Sequence, residues 1–453
     1  MPPRMDRVLS RLRADIAASL SPEAITDACR AVGHRWRDRA LNPVTTVYLF
    51  LLQILHGNTA CQNVVHFGVW RFTESAYCQA RMRLPFAVLQ LLLDRVSEKV
   101  RQTTQASSLW LGRHRIWIVD GSTFSMPDVE ELRRHFGQPT GQRPGCGFPL
   151  ARFLALVDLA TGMISRVVTA PHRTHESILV TPAHDGLEAG DVLLGDRAYC
   201  SIAHVVFLVQ HGVHAVFRLH QQIIVNFKPG REHVMPTATN PRRGLPRSRW
   251  ERAISLNDQI VTWFKPKEPL QWMTPEQFAS LPQETTVREL RYRVETPGFR
   301  TSEIILVTTL LDPEVYSAEA VANLYYRRWQ IETNFRDLKT TMNMNVLRCK
   351  TLPGVFKELA VFALVYNLVR STMAEAASVR GVAAIRISLQ DTVRWLTGSE
   401  AEQGDGLRVI LVNRQRPGRV EPRVIKRRPK SYPRMTVPRS ELRKGLLGQR
   451  VPA

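Results

Sequence analysis

RIWIVDGSTF, residues 115–124, is the stretch on which the reading of this 453-residue chain turns. Ile116, Trp117, Ile118 and Val119 are β-branched or aromatic, and an acid and a Gly-Ser pair follow them. That predicts a buried strand opening into a loop at Asp120. Downstream, FLALVDLATGMISRVVTA (153–170) predicts a hairpin that turns at Ala160-Thr161-Gly162. HESILVTPAHDGL (175–187) suits a helix, and DVLLGDRAYC (191–200) a short apolar strand ending on Gly195-Asp196. SIAHVVFLVQHG (201–212) is again helical, and HAVFRLH (214–220) is a strand. Strand, hairpin, helix, strand, helix and strand in that order make an α/β domain with a mixed sheet.

That order is what a ribonuclease H-like domain requires. Its bounds are placed at 109–350, with a β-rich insertion at 221–315 where QIIVNFK, QIVTWFK, ELRYRVE and SEIILVTTLL all read as strands. Before it, residues 1–108 read as a helical N-terminal domain, with apolar residues at three and four spacing in VYLFLLQILHG and LPFAVLQLLLDRVSEKV. Within it, Glu74 to Leu84 is a candidate recognition helix carrying Gln79, Arg81 and Arg83, so this domain is a candidate DNA-binding unit. After the insertion, a long helix from about Ala318 to Met344 closes the 109–350 domain, and a second from Val355 to about Ala377 opens the C-terminal helices, 351–405. A basic tail, 406–453, closes the chain.

Charge narrows the function. The chain has 62 Lys and Arg against 40 Asp and Glu, a net +22, which draws polyanions. Half of that excess sits between Asn413 and Arg450, where 13 basic residues face only Glu421 and Glu441 and prolines recur. This reads as an extended arm for phosphates. A second basic stretch, Pro241 to Arg252, sets Trp250 among arginines. The richest apolar runs, Val47–Leu55 and Val361–Val369, are about half of the roughly 20 residues that span a bilayer. No apolar signal region opens the chain, and six scattered cysteines form no CxxC pair. The expectation is a cytoplasmic protein that faces nucleic acid, with no membrane partner.

Three acids are candidates for chemistry. Asp120 and Asp196 each close an apolar strand, a position from which a carboxylate is held rigidly over a crevice. The third, Glu332, lies on the helix YYRRWQIETNFRDLK. Turned at 100° per residue, Tyr325, Arg328, Glu332 and Lys339 share an arc of about 60° beside an apolar face of Ile331, Phe335, Leu338 and Met342. Carboxylates from separate segments that converge on divalent ions are what two-metal phosphoryl transfer needs.

The spacing Tyr325-x2-Arg328-x3-Glu332-x6-Lys339 matches the Tyr/Arg/Glu/Lys motif of the insertion sequence four family of bacterial DDE transposases. VDGSTF resembles that family's first Asp motif and GDRAY its second, with Arg197 and Tyr199 following; the β-rich insertion lies between the second Asp and the Glu. The resemblance implies a DNA transposase in which Asp120, Asp196 and Glu332 bind two Mg²⁺ (or Mn²⁺) ions. It would cut transposon ends and transfer strands to target DNA in cut-and-paste transposition. Tyr325, Arg328, Lys339 and Arg197 would contact DNA, and Trp250, Trp263 or Trp272 would stack on a flipped base. The implied partners are the terminal inverted repeats and target DNA, both double-stranded, with a homodimer on the DNA. Two alternatives stand beside this: a non-catalytic DNA-binding regulator derived from a transposase, and another ribonuclease H-like nuclease.

Overall fold

A computed structural model describes residues 2–68, 71–103, 108–139, 141, 143, 145–233, 246–270, 272–293, 303–398, 406–414 and 435–448. Most of the basic arm and residues 241–245 of the second basic stretch lie outside the described residues.

Among the described residues, nine strands form one sheet: β1 (Ile116–Ser125), β2 (Leu150–Asp158), β3 (Ile164–Pro171), β4 (Val192–Gly195), β5 (His214–Arg218), β6 (Arg249–Ser255), β7 (Asp258–Phe264), β8 (Glu284–Arg293) and β9 (Glu303–Thr308). Their order is β3-β2-β1-β4-β5-β9-β8-β7-β6. The β1–β4 and β4–β5 pairs are parallel, whereas β2 runs antiparallel to both of its neighbours. The first five strands thus have the order and directions of a ribonuclease H-like α/β fold, as the sequence predicts.

Alternation along the strands builds two cores. Ile116 and Ile118 face one, which also holds the helices Pro43–Leu55, Phe86–Thr103 and Leu352–Arg380; Trp117 and Val119 face the other, under Glu176–Ala183 and Ile202–Gln210. The helix Leu352–Arg380 is long and apolar enough to cross a membrane by length and composition, but 83% of its most apolar window is buried inside the fold. Its apolarity belongs to the core.

Three readings change. β1 does not stop at Asp120: β2 pairs with it residue by residue from Trp117↔Asp158 to Ser125↔Leu150, and this ladder carries the strand through the Gly-Ser pair. Only the parallel partner ends there, at Val119↔Gly195. Residues 222–228 (QIIVNFK) are not a strand, because β9 takes the free edge of β5, starting at Val216↔Thr308. The other strands of the β-rich insertion, β6 to β9, extend the main sheet through β9.

The expected long helix is a segmented rod: an α-helix Ala318–Tyr326, a 3₁₀ turn Arg327–Trp329, an α-helix Gln330–Arg336 and a π-turn Asp337–Thr341. Tightening and then widening the coil shifts the angular register, so the uniform 100° wheel does not hold as far as Lys339.

Candidate active site

Asp120 sits where β1 loses its parallel neighbour, one residue beyond the Val119↔Gly195 pair that ends β4. Asp196 is the next residue after β4 and precedes the 3₁₀ turn Arg197–Tyr199. Gly195 permits this close approach: a Cβ there would lie 2.9 Å from the Phe217 ring and 3.2 Å from the Tyr199 Cβ.

Beside Asp120 lies Arg328. Its guanidinium is buried and donates from Nη1 to Asp120 Oδ2 at 3.2 Å. Burial works against its charge, but Tyr325, Asp120, Asp196 and Glu332 outweigh it and strengthen its hold on the proton. All three candidate acids therefore act on the charge of one arginine. The guanidinium lies 5.8 Å from the centre of the Tyr325 ring and 5.3 Å from that of Trp329. Tyr325 is buried with its hydroxyl unpartnered, and burial raises its pKa. Glu332 is exposed on the same rod, and Lys339 is half-buried within the π-turn, where burial lowers its pKa.

Burial pushes the Asp120 carboxyl up to about 6; Arg328 and the Gly121 amide pull it down, while Glu176 and Asp196 add to the rise. Glu176 is the residue that sequence reasoning passed over. Its carboxylate pairs with Arg152 on β2, accepts from the Tyr199 hydroxyl at 3.3 Å, and lies 3.1 Å from where a Cβ on Gly121 would stand. The signals were an arginine inside the apolar strand LARFLALVD and an acid opening the helix after β3.

Among the described residues, no three His, Cys, Asp or Glu side chains form a ready-made metal cage. The donors nevertheless suit a hard divalent cation: all are carboxylates, and Asp196 Oδ1 is buried with no hydrogen-bond partner. A cation there would meet an oxygen that nothing in the protein satisfies.

The other candidates have varied settings. Arg197 is exposed and donates to Gln221 Oε1 at 3.1 Å. Trp263 is half-buried, with Nε1 donating to Glu289 Oε1 at 3.2 Å. Trp272 lies flat on the buried His204, 4.8 Å between ring centres, which occupies one of its faces. Trp250 is half-buried on β6 with its indole N–H unpartnered. Arg81 of the expected recognition helix is buried: it lies 3.8 Å over the Phe50 ring and donates to Gln53 Oε1 at 3.0 Å, so it faces the core, not a groove.

Residues 111–368, more than half of the chain, match the family model of the transposase DDE domain. The chain belongs to that family. Within it, the relatives point to the insertion sequence four type of DDE transposase. The chain is 24% identical over 380 residues to "Transposase InsG for insertion sequence element IS4" of Escherichia coli K12, covering 77% of this chain and 78% of that one. It is 23% identical over 359 residues to "Probable transposase for insertion sequence element IS5377" of Geobacillus stearothermophilus, covering 78% and 82%. "Putative transposase InsZ" of Escherichia coli K12 is 27% identical over 146 residues, 32% of this chain; the match spans about half, 48%, of that relative. A solved structure of the piggyBac transposase synaptic complex with hairpin DNA aligns with TM-score 0.42 at 9% identity, over 86% of this chain and 76% of that one. DDE transposases use divalent metal ions as a class, and DNA is what they act on.

Proposed function

We propose that this chain cuts DNA at transposon terminal inverted repeats and joins the freed ends to target DNA, with Asp120, Asp196 and Glu332 holding two Mg²⁺ (or Mn²⁺) ions. The observation that supports the reading is Arg328, which donates to Asp120 Oδ2 at 3.2 Å and whose charge Asp196 and Glu332 strengthen as well. When bound, such ions lower the pKa of an attacking water or hydroxyl and stabilise the oxygens of an in-line displacement. The protein's part is placement. β1 carries Asp120, the end of β4 leads straight into Asp196, and the rod carries Glu332, which would close the set.

Arg328 then has two duties. Without the cations it offsets the acids' mutual repulsion. With them, its fork is free for a phosphate oxygen. Tyr325, Lys339 and the exposed Arg197 would hold DNA phosphates near the cut, and Trp250, half-buried with its N–H unpartnered, is better placed than Trp263 or Trp272 to stack on a flipped base. Residues 1–108 and the basic tail would bind DNA around the 109–350 catalytic region, with 351–405 bracing it. Two ends held at once imply a homodimer on the DNA, acting in the cytoplasm where bacterial DNA lies.

The deciding experiment incubates the purified chain with labelled terminal-repeat duplex and Mg²⁺, reading nicks, hairpins and joined products. Asp196→Asn and Glu332→Gln should each remove all products while DNA binding persists. Full cleavage by either variant would take that residue out of the site.

A further inference from the structure

Glu176 opens the helix Glu176–Ala183, which packs on the face of the sheet that Trp117 and Val119 share. The rod that carries Glu332 packs on the other face, through Ile331, Phe335 and Leu338. An acid in the first turn of a helix ordinarily serves the free amides there. Here His175 takes that task, its Nδ1 accepting from the Ser177 amide at 3.3 Å. The Glu176 carboxylate extends to the sheet instead.

Three groups fix it there. Arg152 of β2 donates from Nη1 to Oε1. The buried Tyr199 hydroxyl donates to Oε2 at 3.3 Å. Gly121, the residue after Asp120, leaves the room: a Cβ there would stand 3.1 Å from Oε1 and 3.3 Å from the Tyr199 oxygen. Charge places Glu176 among the acids as well. Burial raises the Asp120 carboxyl most, and of the acids that add to the rise Glu176 comes ahead of Asp196. Burial likewise raises the Tyr199 hydroxyl, with Glu176, Asp120 and Asp196 adding to it in that order.

A brace between β2 and the helix would account for the Arg152–Glu176 pair alone. It does not account for the rest. Arg152 meets the carboxylate through one nitrogen only: Nη2 reaches the His172 carbonyl at 3.5 Å, and Nε is buried without a partner. Among the described residues each Glu176 oxygen has one partner, whereas a carboxylate offers about four lone-pair sites. Asp120 and Glu176 each have an arginine, but Asp196 and Glu332 enter no ion pair among the described residues. Asp196 Oδ1 and the hydroxyl of the buried Tyr325, which feels the Asp196 charge, are buried without partners. Carboxylates in excess of their counter-charges, with oxygens left unsatisfied, suit a hard divalent cation.

We propose that Glu176 is a fourth carboxylate ligand of the divalent cations, with Arg152 as its counter-ion when no cation is bound. This rests on Asp120, Asp196 and Glu332 being cation ligands and adds one residue to that set. Arg152 offsets the repulsion between Glu176 and Asp120 in the empty protein. Once a cation arrives, the same positive charge opposes it, so the two members of one ion pair have opposite effects on cation binding.

The test titrates Mn²⁺ alone into the full chain without DNA and follows the electron paramagnetic resonance signal of free Mn²⁺. Glu176→Gln should weaken binding about 10-fold or more. Arg152→Gln should strengthen it about 3–10-fold, because a repelling charge is lost while the carboxylate stays. A structural brace would move both variants the same way, since each breaks the same link. The Mg²⁺ concentration for half-maximal cleavage should rise in the first variant and fall in the second. The proposal is overturned if Glu176→Gln, with wild-type melting temperature in EDTA, binds Mn²⁺ as the wild type does. Should that variant not fold, Arg152→Gln decides, and Mn²⁺ binding no tighter than wild type overturns it. Asp196→Asn separates the two ideas. Wild-type Mn²⁺ binding by that variant would remove the three-acid set itself, whereas loss there beside wild-type binding by Glu176→Gln would remove only the fourth ligand.

Discussion

Asp120 is a charge that the fold holds at a cost. Its carboxyl keeps a proton up to about pH 6 in the folded chain, because of burial first, against 3.8 as the ordinary value. Between those values the folded state binds more protons than the unfolded one, so this residue's contribution to stability falls as pH rises through that window. Asp120→Asn should therefore abolish cleavage yet raise the melting temperature at pH 7.5 by roughly 2–5 °C, with a smaller gain at pH 5. Cleavage by the wild type should fall as pH drops through about 6, and raising Mg²⁺ should move that midpoint downward, since cation and proton compete for one carboxylate. Glu176 adds to the rise at Asp120, so Glu176→Gln should shift the acid limb of the pH–rate profile to lower pH. An unmoved limb would mean that Glu176 acts only as a brace for Arg152 and Tyr199.

Among the elements, β4 and the segmented rod decide whether the acids meet. β4 is four residues long, and its last, Gly195, fits under the Phe217 ring of β5. Gly195→Ala should overpack that contact and cost roughly 1–3 kcal/mol. It should also displace Asp196 and lower cleavage by more than the lost stability explains; circular-dichroism melts beside cleavage rates at permissive temperature check this. The sequence GDRAY marks both the glycine and the acid, but not the reason they adjoin. Similarly, Tyr325, Arg328, Glu332 and Lys339 were legible as one group by spacing. Their actual angular relation was not, because a 3₁₀ turn and a π-turn inside the rod depend on what packs around it.

At the scale of the molecule, one contiguous core runs from Met5 to Ile410, joining the N-terminal helices to Leu352–Arg380 beneath the sheet. Glu358, buried in that helix, is a knot between distant parts of the chain. It accepts from Asn58 Nδ2 at 2.7 Å and from the backbone amides of Arg348 and Cys349 at 2.9 Å each. Glu358→Ala strands those donors and should destabilise the chain by roughly 3–5 kcal/mol, read as a lower urea midpoint with an unchanged m-value. If residues 1–108 were energetically independent, the melt would split into two transitions instead.

The order of the first five strands with the helices between them, the two aspartates after apolar strand runs and the family motif were legible in the bare chain, since they rest on local periodicity and fixed spacing. Packing settled the rest: that β1 runs on past Asp120, that QIIVNFK has no edge to pair with, that Arg81 turns inward, and that Glu176 and Arg328 crowd the acids. Those outcomes follow from which sheet edge is already occupied and which charges end up adjacent, and distances between residues far apart in the chain are fixed only when the core closes.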